Sequence, residues 1–325
     1  MKNISIFALS MFLIYFNQVN AQTFQVLDPS KQNFPNKTIH MIGPLVGGGS
    51  DLVMRLIAPK ISLMWNQVVV IDNHPSVVVP ELGLKAVGDG STIIVGGSSF
   101  LTSHLLNNVR WDPVRDFKPV TLATNSPSVL LVQPSLPVNS VQSLIRFSIA
   151  NPKVLKYAAG AIGASPHLAA ELFKRLSGAQ MTMVPYRSNG LGLLSLISGE
   201  TQMMLKDAPG VNAQIQMGKL KALAVTSAEM SPLFPNLPTL DSCGLRGYEA
   251  LAIDAFYVPS HTPPQIINAL NKVITLALKQ EEVKAKLFSN SLVVVASSPE
   301  VLGLYMKSEI VKWTPVIESM NVKIQ

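Results

Sequence analysis

Short β-branched runs alternate with segments of helical spacing along most of this chain. Residues 38–43 predict a strand, and the apolar positions Leu52, Leu56, Ile57, Leu63 and Met64 predict a helix over 52–65. Pro59 falls inside that helix, where its missing backbone donor should kink or shorten it. Residues 67–71 and 91–95 predict two more strands, separated by a short helix over 81–87. The second of these strands runs into a polar turn, Gly96-Gly97-Ser98-Ser99. A second block repeats the alternation, with strands over 128–133, 155–159, 181–184, 201–205 and 222–226 and helices over 140–149, 166–176 and 190–197. Ser140 and Ser165 suit N-caps, Pro166 suits a first helical position, and Gly178 and Gly199 suit helix stops. A proline-rich loop over 231–239, a strand over 250–258 and two C-terminal helices, 263–277 and 299–318, complete the pattern. Strands joined by helix-length segments imply an α/β protein with parallel sheets.

Three strand-to-helix turns stand out as chemistry. Gly47-Gly48-Gly49-Ser50-Asp51 follows the first strand, and the glycines leave backbone N–H groups open at the positive end of a helix dipole. Ser50 and Asp51 are also good capping residues for that helix. Gly163-Ala164-Ser165 makes a corresponding turn in the second block, and Ser188-Asn189 starts a third helix. Open α/β sheets bind ligands at the carboxyl ends of their strands. Two such ends facing a shared cleft would hold a small anion between them.

Composition sharpens this reading. Apolar residues make up 48% of the 325 residues and charged residues 14%, the profile of an ordered chain long enough for two domains. The net charge is +7, but the 26 Lys and Arg are scattered and not interleaved with aromatics, which argues against nucleic acid and for a mild field gathering small anions. Lys2, the apolar run 4–16 and Val19-Asn20-Ala21 have the order of a signal peptide over 1–21, cut after Ala21, so a soluble periplasmic protein is expected. Cys243 is the only cysteine, which rules out an internal disulfide. The five histidines lack metal-ligand spacing, and no metal or cofactor is expected. His167 has no serine or cysteine nucleophile motif around it and reads as structural.

The chain also carries a series of family motifs. They are Gly48-Gly49-Ser50-Asp51, Asp89-Gly90-Ser91-Thr92, Trp111-Asp112-Pro113-Val114-Arg115-Asp116-Phe117-Lys118-Pro119-Val120, Gly163-Ala164-Ser165-Pro166-His167-Leu168 and Val184-Pro185-Tyr186-Arg187. Gly218-Lys219-Leu220-Lys221-Ala222-Leu223-Ala224-Val225-Thr226-Ser227, Pro235-Asn236-Leu237-Pro238-Thr239 and Gly247-Tyr248-Glu249-Ala250 continue the series. In number, order and spacing these motifs make the chain resemble the extracytoplasmic solute receptors of tripartite tricarboxylate transporters, the Bug or TctC family, over essentially its whole mature length. The resemblance implies a type II periplasmic-binding-protein fold: two α/β domains joined by two crossover strands, with the ligand in the cleft between them. Domain 1 would comprise 22–124 and 250–325, and domain 2 residues 125–249.

The resemblance further implies a non-enzymatic, monomeric receptor that takes a small organic carboxylate and delivers it to membrane permease subunits. By position, the ligand-binding residues would be Gly47, Gly48, Gly49, Ser50 and Asp51, then Ser98 and Ser99, then Gly163, Ala164 and Ser165, with Tyr186 and Asp207. Asp51 can orient donors for the ligand or cap its helix, and Tyr186 can line the cleft or pack the strand end. The chain departs from the family pattern at Leu45 and Val46, where prolines are usual. Further departures are the stretch 73–79, Ala159, Ala164, Lys206 in place of an acidic residue, and Ile253 in place of a tryptophan. Two other readings stand beside this one. A receptor of the same fold could feed a membrane sensor, or an exported α/β enzyme could use Gly47-Gly48-Gly49 as a phosphate turn, although the spacing is not G-x-G-x-x-G.

Overall fold

The computed structural model describes residues 34–160 and 162–320; the proposed signal peptide lies outside them. Ten strands form one continuous, curled sheet in the order β2-β1-β3-β9-β4-β7-β5-β6, with β8 and β10 also paired to β4. The strands β1 (Ile39–Gly43), β2 (Val69–Asn73) and β3 (Thr92–Gly97) pair in parallel, and so do β5 (Lys156–Ala159), β6 (Thr182–Pro185) and β7 (Met203–Asp207). Between these groups run two long antiparallel strands, β4 (Phe117–Val132) and β9 (Leu251–Pro259). The sheet is therefore mixed: the βαβ pattern fixes parallel pairing within each group, and the crossing strands add antiparallel pairs to it.

The sequence pattern located only the second half of β4. Its first half contains Pro119 and ends before Pro127, residues that cannot donate to a ladder. The register against β9 shifts between Pro119 and Thr121 and again between Leu122 and Thr124, so bulges absorb the proline. From Ser128 onward β4 exchanges β9 for β7 and β8 (Lys221–Val225). β10 (Val293–Val294) pairs with Thr124 and Asn125.

Helices cover both faces of the sheet. On one, α1 (Gly49–Trp65), α8 (Pro264–Leu278) and α9 (Glu281–Ser289) bury Ile57, Ile61, Leu270, Ile274 and Leu287 against Met41, Ile93, Val95 and Phe256. On the other, α2 (Val79–Leu84), α3 (Ser98–Leu106) and the first half of α10 (Pro299–Ser319) pack against Ile94, Ala255 and Tyr257. Adjacent residues Ile93 and Ile94 thus enter opposite cores, as strand alternation requires. In the second group, α4 (Val141–Ala150) and α5 (Ser165–Ser177) share a core with Leu130, Tyr157 and Met203, while α6 (Asn189–Ser198) and α7 (Val211–Gln216) meet Val129, Ala158 and Met204 on the reverse face. Helix α10 spans both groups, with Met306 in one core and Trp313 in the other.

Several local expectations need correction. Helix α1 continues through Pro59 to Trp65, held by the core beneath it. The polar stretch at Ser98 and Ser99 is the first turn of α3, and three helices, not two, follow β9. Ser165 does not cap α5: Ala164 occupies the N-cap without a side-chain bond, and Ser165 is the first helical residue. Ser50 and Asp51 likewise lie inside α1, whose N-cap is Gly48. Ser140 does cap α4, in a reciprocal capping box with Ser143, and Gly178 and Gly199 close α5 and α6 in the left-handed conformation.

Leu130 lies fully buried in β4 where that strand is flanked by β7 on one side and β8 on the other. Leu130→Ala should cost about 2–5 kcal/mol, measured by urea unfolding with far-UV circular dichroism.

Candidate functional site

The first glycine turn forms one wall of a cleft of 420 Å³. Gly47 adopts a φ of +98°, a region where side chains other than glycine are strained. Its amide donates to Asp51 Oδ2 at 3.1 Å. The first helical hydrogen bond then runs from the Leu52 amide to the Gly48 carbonyl. The amides of Gly48, Gly49, Ser50 and Asp51 have no partner among the described residues. Four open donors thus sit at the positive end of a 17-residue helix.

Asp51 bolts this wall together. Besides Gly47 it accepts from Arg55 Nε at 3.1 Å and from Asn73 Nδ2 at 3.0 Å, and it pairs with Arg55 Nη2 at 3.0 Å. Asn73 also donates to the Pro44 carbonyl at 2.6 Å and accepts from Arg55, tying the turn to the end of β2. Burial opposes ionisation of Asp51, which is only 4% exposed. The bonds from Arg55, Gly47 and Asn73 outweigh that cost and hold its carboxyl below the usual range.

The floor is made by the crossing strands, and sequence reasoning missed it. Asp254 on β9 accepts the Ser50 hydroxyl at 2.6 Å and the Thr124 hydroxyl at 2.8 Å, and burial pushes its carboxyl upward against those two bonds. A Cβ on Gly49 would lie 2.7 Å from Asp254 Oδ2, so glycine is what allows the turn to rest on this carboxylate. Ser126 of β4, with Ala252 and Ile253 of β9, completes the floor. Ser126 is 2% exposed and its hydroxyl has no partner among the described residues. Apart from Ile253, which stands where the family pattern has a tryptophan, the alternation of β4 and β9 was the signal pointing to these residues, and the prolines of β4 interrupt it. The opposite wall carries Asp207 and Pro209; Asn290 and Leu292, between α9 and β10, close the rim. Asp207 accepts from the Ser128 hydroxyl at 3.0 Å, and burial raises its carboxyl despite Lys206 nearby.

Of the residues the sequence proposed, Gly47, Gly48, Gly49, Asp51 and Asp207 line this cleft. Ser50 lies beneath it on Asp254. Ser98 is committed to β9, accepting from the Ile253 amide and donating to the Leu251 carbonyl, both at 3.1 Å, and Ser99 faces solvent. Gly163, Ala164 and Ser165 lie outside the lining, and the Gly163 amide donates to His167 Nδ1 at 3.0 Å. His167 is buried, which lowers its affinity for a proton and suits an accepting ring nitrogen. Tyr186 packs against Gly192 and the core beneath α6 instead of the cleft. No group of three metal-binding side chains occurs among the described residues.

Two substitutions test the wall. Gly49→Ala should cost about 1–3 kcal/mol in urea unfolding, because the hydrogen-bonded Asp254 carboxylate cannot move aside. Asp51→Asn should cost about 1–3 kcal/mol at neutral pH. A carboxyl lowered below 3.8 in the folded state contributes its full stability above that value and loses it as pH falls through the lowered folded value, so the gap from the parent protein should close only in that acid range.

Comparison with known proteins gives the same picture. The family model described as "Tripartite tricarboxylate transporter family receptor" matches residues 53–322. BugT of Bordetella pertussis is 29% identical over 303 residues, covering 91% of this chain and 93% of its own. The solved structure of Rpa4515 from R. palustris with adipate is 30% identical at a TM-score of 0.73, covering 90% of this chain and 99% of its own. That of MatC from Rhodopseudomonas palustris with bound malate is 27% identical at a TM-score of 0.70, covering 87% and 100%. With its crossing strands, its glycine turn and these likenesses, the chain belongs to the family of tripartite tricarboxylate transporter receptors.

Proposed function

We propose that this protein captures a small organic carboxylate in the periplasm and delivers it to the membrane permease subunits of a tripartite tricarboxylate-type transporter, without catalysing a reaction. The observation that carries this reading is the row of four open amides from Gly48 to Asp51, at a helix start whose Gly48, Gly49 and Asp51 line a cleft of 420 Å³, a size that suits a small metabolite. The adipate and malate held by the two solved relatives belong to the ligand class such donors recognise. In this reading the protein acts as a monomer of two domains, 22–124 with 250–325 and 125–249, hinged on β4 and β9. A ligand touching Gly48 and Gly49 on one side and Asp207 on the other gains both sets of contacts only when the domains close, which shifts the population toward the closed form. No helix among the described residues is long and apolar enough to cross a membrane, in keeping with a receptor released by signal cleavage after Ala21.

A thermal-shift screen of mono-, di- and tricarboxylates tests the reading. A ligand at a hundred times its dissociation constant should stabilise the fold by about 2.7 kcal/mol. A screen in which no carboxylate raises the melting temperature overturns it.

A further inference from the structure

The charges around the cleft are unbalanced for a ligand that is anionic at both ends. The lining carries three carboxyl groups, Asp51, Asp207 and Asp254, against one cation, Arg55, which is already paired with Asp51. Both oxygens of Asp254 are taken by Ser50 and Thr124. On Asp207 only Oδ1 is engaged, by Ser128, and Oδ2 has no partner among the described residues. Two residues back along β4, on the face shared with Ser128, lies the buried Ser126 hydroxyl, also without a partner. Lys206 does not redress the balance: it is absent from the lining, and its ammonium donates to the Asp207 carbonyl at 3.1 Å.

A carboxylate at one end of the ligand is matched by the open amides of the glycine turn. A second carboxylate at the other end would meet Asp207 on the opposite wall, with no free cation in the lining to offset it, an arrangement that costs both repulsion and desolvation. An ammonium there would be matched. We infer that the ligand is an amino-bearing carboxylate, its carboxylate on the Gly48–Asp51 amides and its ammonium donating to Asp207 Oδ2 and Ser126 Oγ. This rests on the carboxylate-receptor reading above and narrows it. The opposing possibility is that Asp207 is protonated and donates to a second ligand carboxylate, in which case a dicarboxylate binds the parent protein at least as tightly as its amino counterpart.

Calorimetry on matched pairs separates the outcomes: succinate with aspartate, glutarate with glutamate, and adipate with 2-aminoadipate. The amino member of at least one pair should bind the parent protein ten-fold or more tightly than its partner. Asp207→Asn should weaken that amino ligand about ten- to a hundred-fold while leaving the partner dicarboxylate unchanged or tighter. Ser126→Ala should weaken it several-fold, with circular dichroism showing both variants folded. Dicarboxylates that bind the parent protein as tightly as their amino counterparts overturn this inference and leave the receptor reading intact, and that comparison needs no variant. Failure of every compound to bind overturns both.

Discussion

The Asp254 carboxylate is the contact on which the cleft depends. It belongs to β9, takes one hydroxyl from α1 through Ser50 and another from β4 through Thr124, and lies directly beneath Gly49. A buried carboxylate is costly in isolation, and here two charge-assisted bonds offset part of that cost. What the arrangement supplies is position. The start of α1 is held at a fixed height over the crossing strands, so that Gly48, Gly49 and Asp51 line the cleft. The Asp51–Arg55–Asn73 cluster then fixes the same turn laterally against β2. One carboxylate sets the depth of the turn and the other its direction, and neither has to touch a ligand to do so.

This division explains why much of the fold was legible in the sequence while half of the cleft was not. Periodicity and capping chemistry are local, so β1, α1, α5 and the glycine stops could be found from neighbouring residues alone. The first half of β4 was hidden because Pro119 and Pro127 disguise a strand whose bulges are set by β9, more than a hundred residues away. The Gly47–Asp51 turn was visible because glycines between a strand and a helix have a local meaning. Asp254 and Ser126 were not, because a single acid or serine in an apolar run acquires a role only from what crosses over it. Tyr186, by contrast, followed the packing alternative that its strand-end position allowed.

The capping assignments failed for a related reason. Ser50, Asp51 and Ser165 have side chains suited to closing a helix, yet α1 and α5 both start without a side-chain cap. At α1 those side chains are drawn instead into long-range bonds, which leaves the backbone donors free. A protein that bound nothing at this turn would gain stability by capping it, whereas Ser140, far from the cleft, caps its helix in full. The open helix end is a local loss of stability, and in the proposed reading a bound carboxylate restores it.

The pairing of β4 with β9 has one more consequence. The chain leaves this ladder after Pro127 and rejoins it at Leu251, and these two residues are direct partners across the sheet. Everything between them begins and ends within a single interstrand spacing, roughly 5 Å. Such an excursion can lengthen, shorten or be exchanged for that of a relative without disturbing the register of the strands that carry it. The wall that carries Asp207 and Pro209 is, in this sense, a cassette, and it can diverge while the Asp254 foundation stays in place.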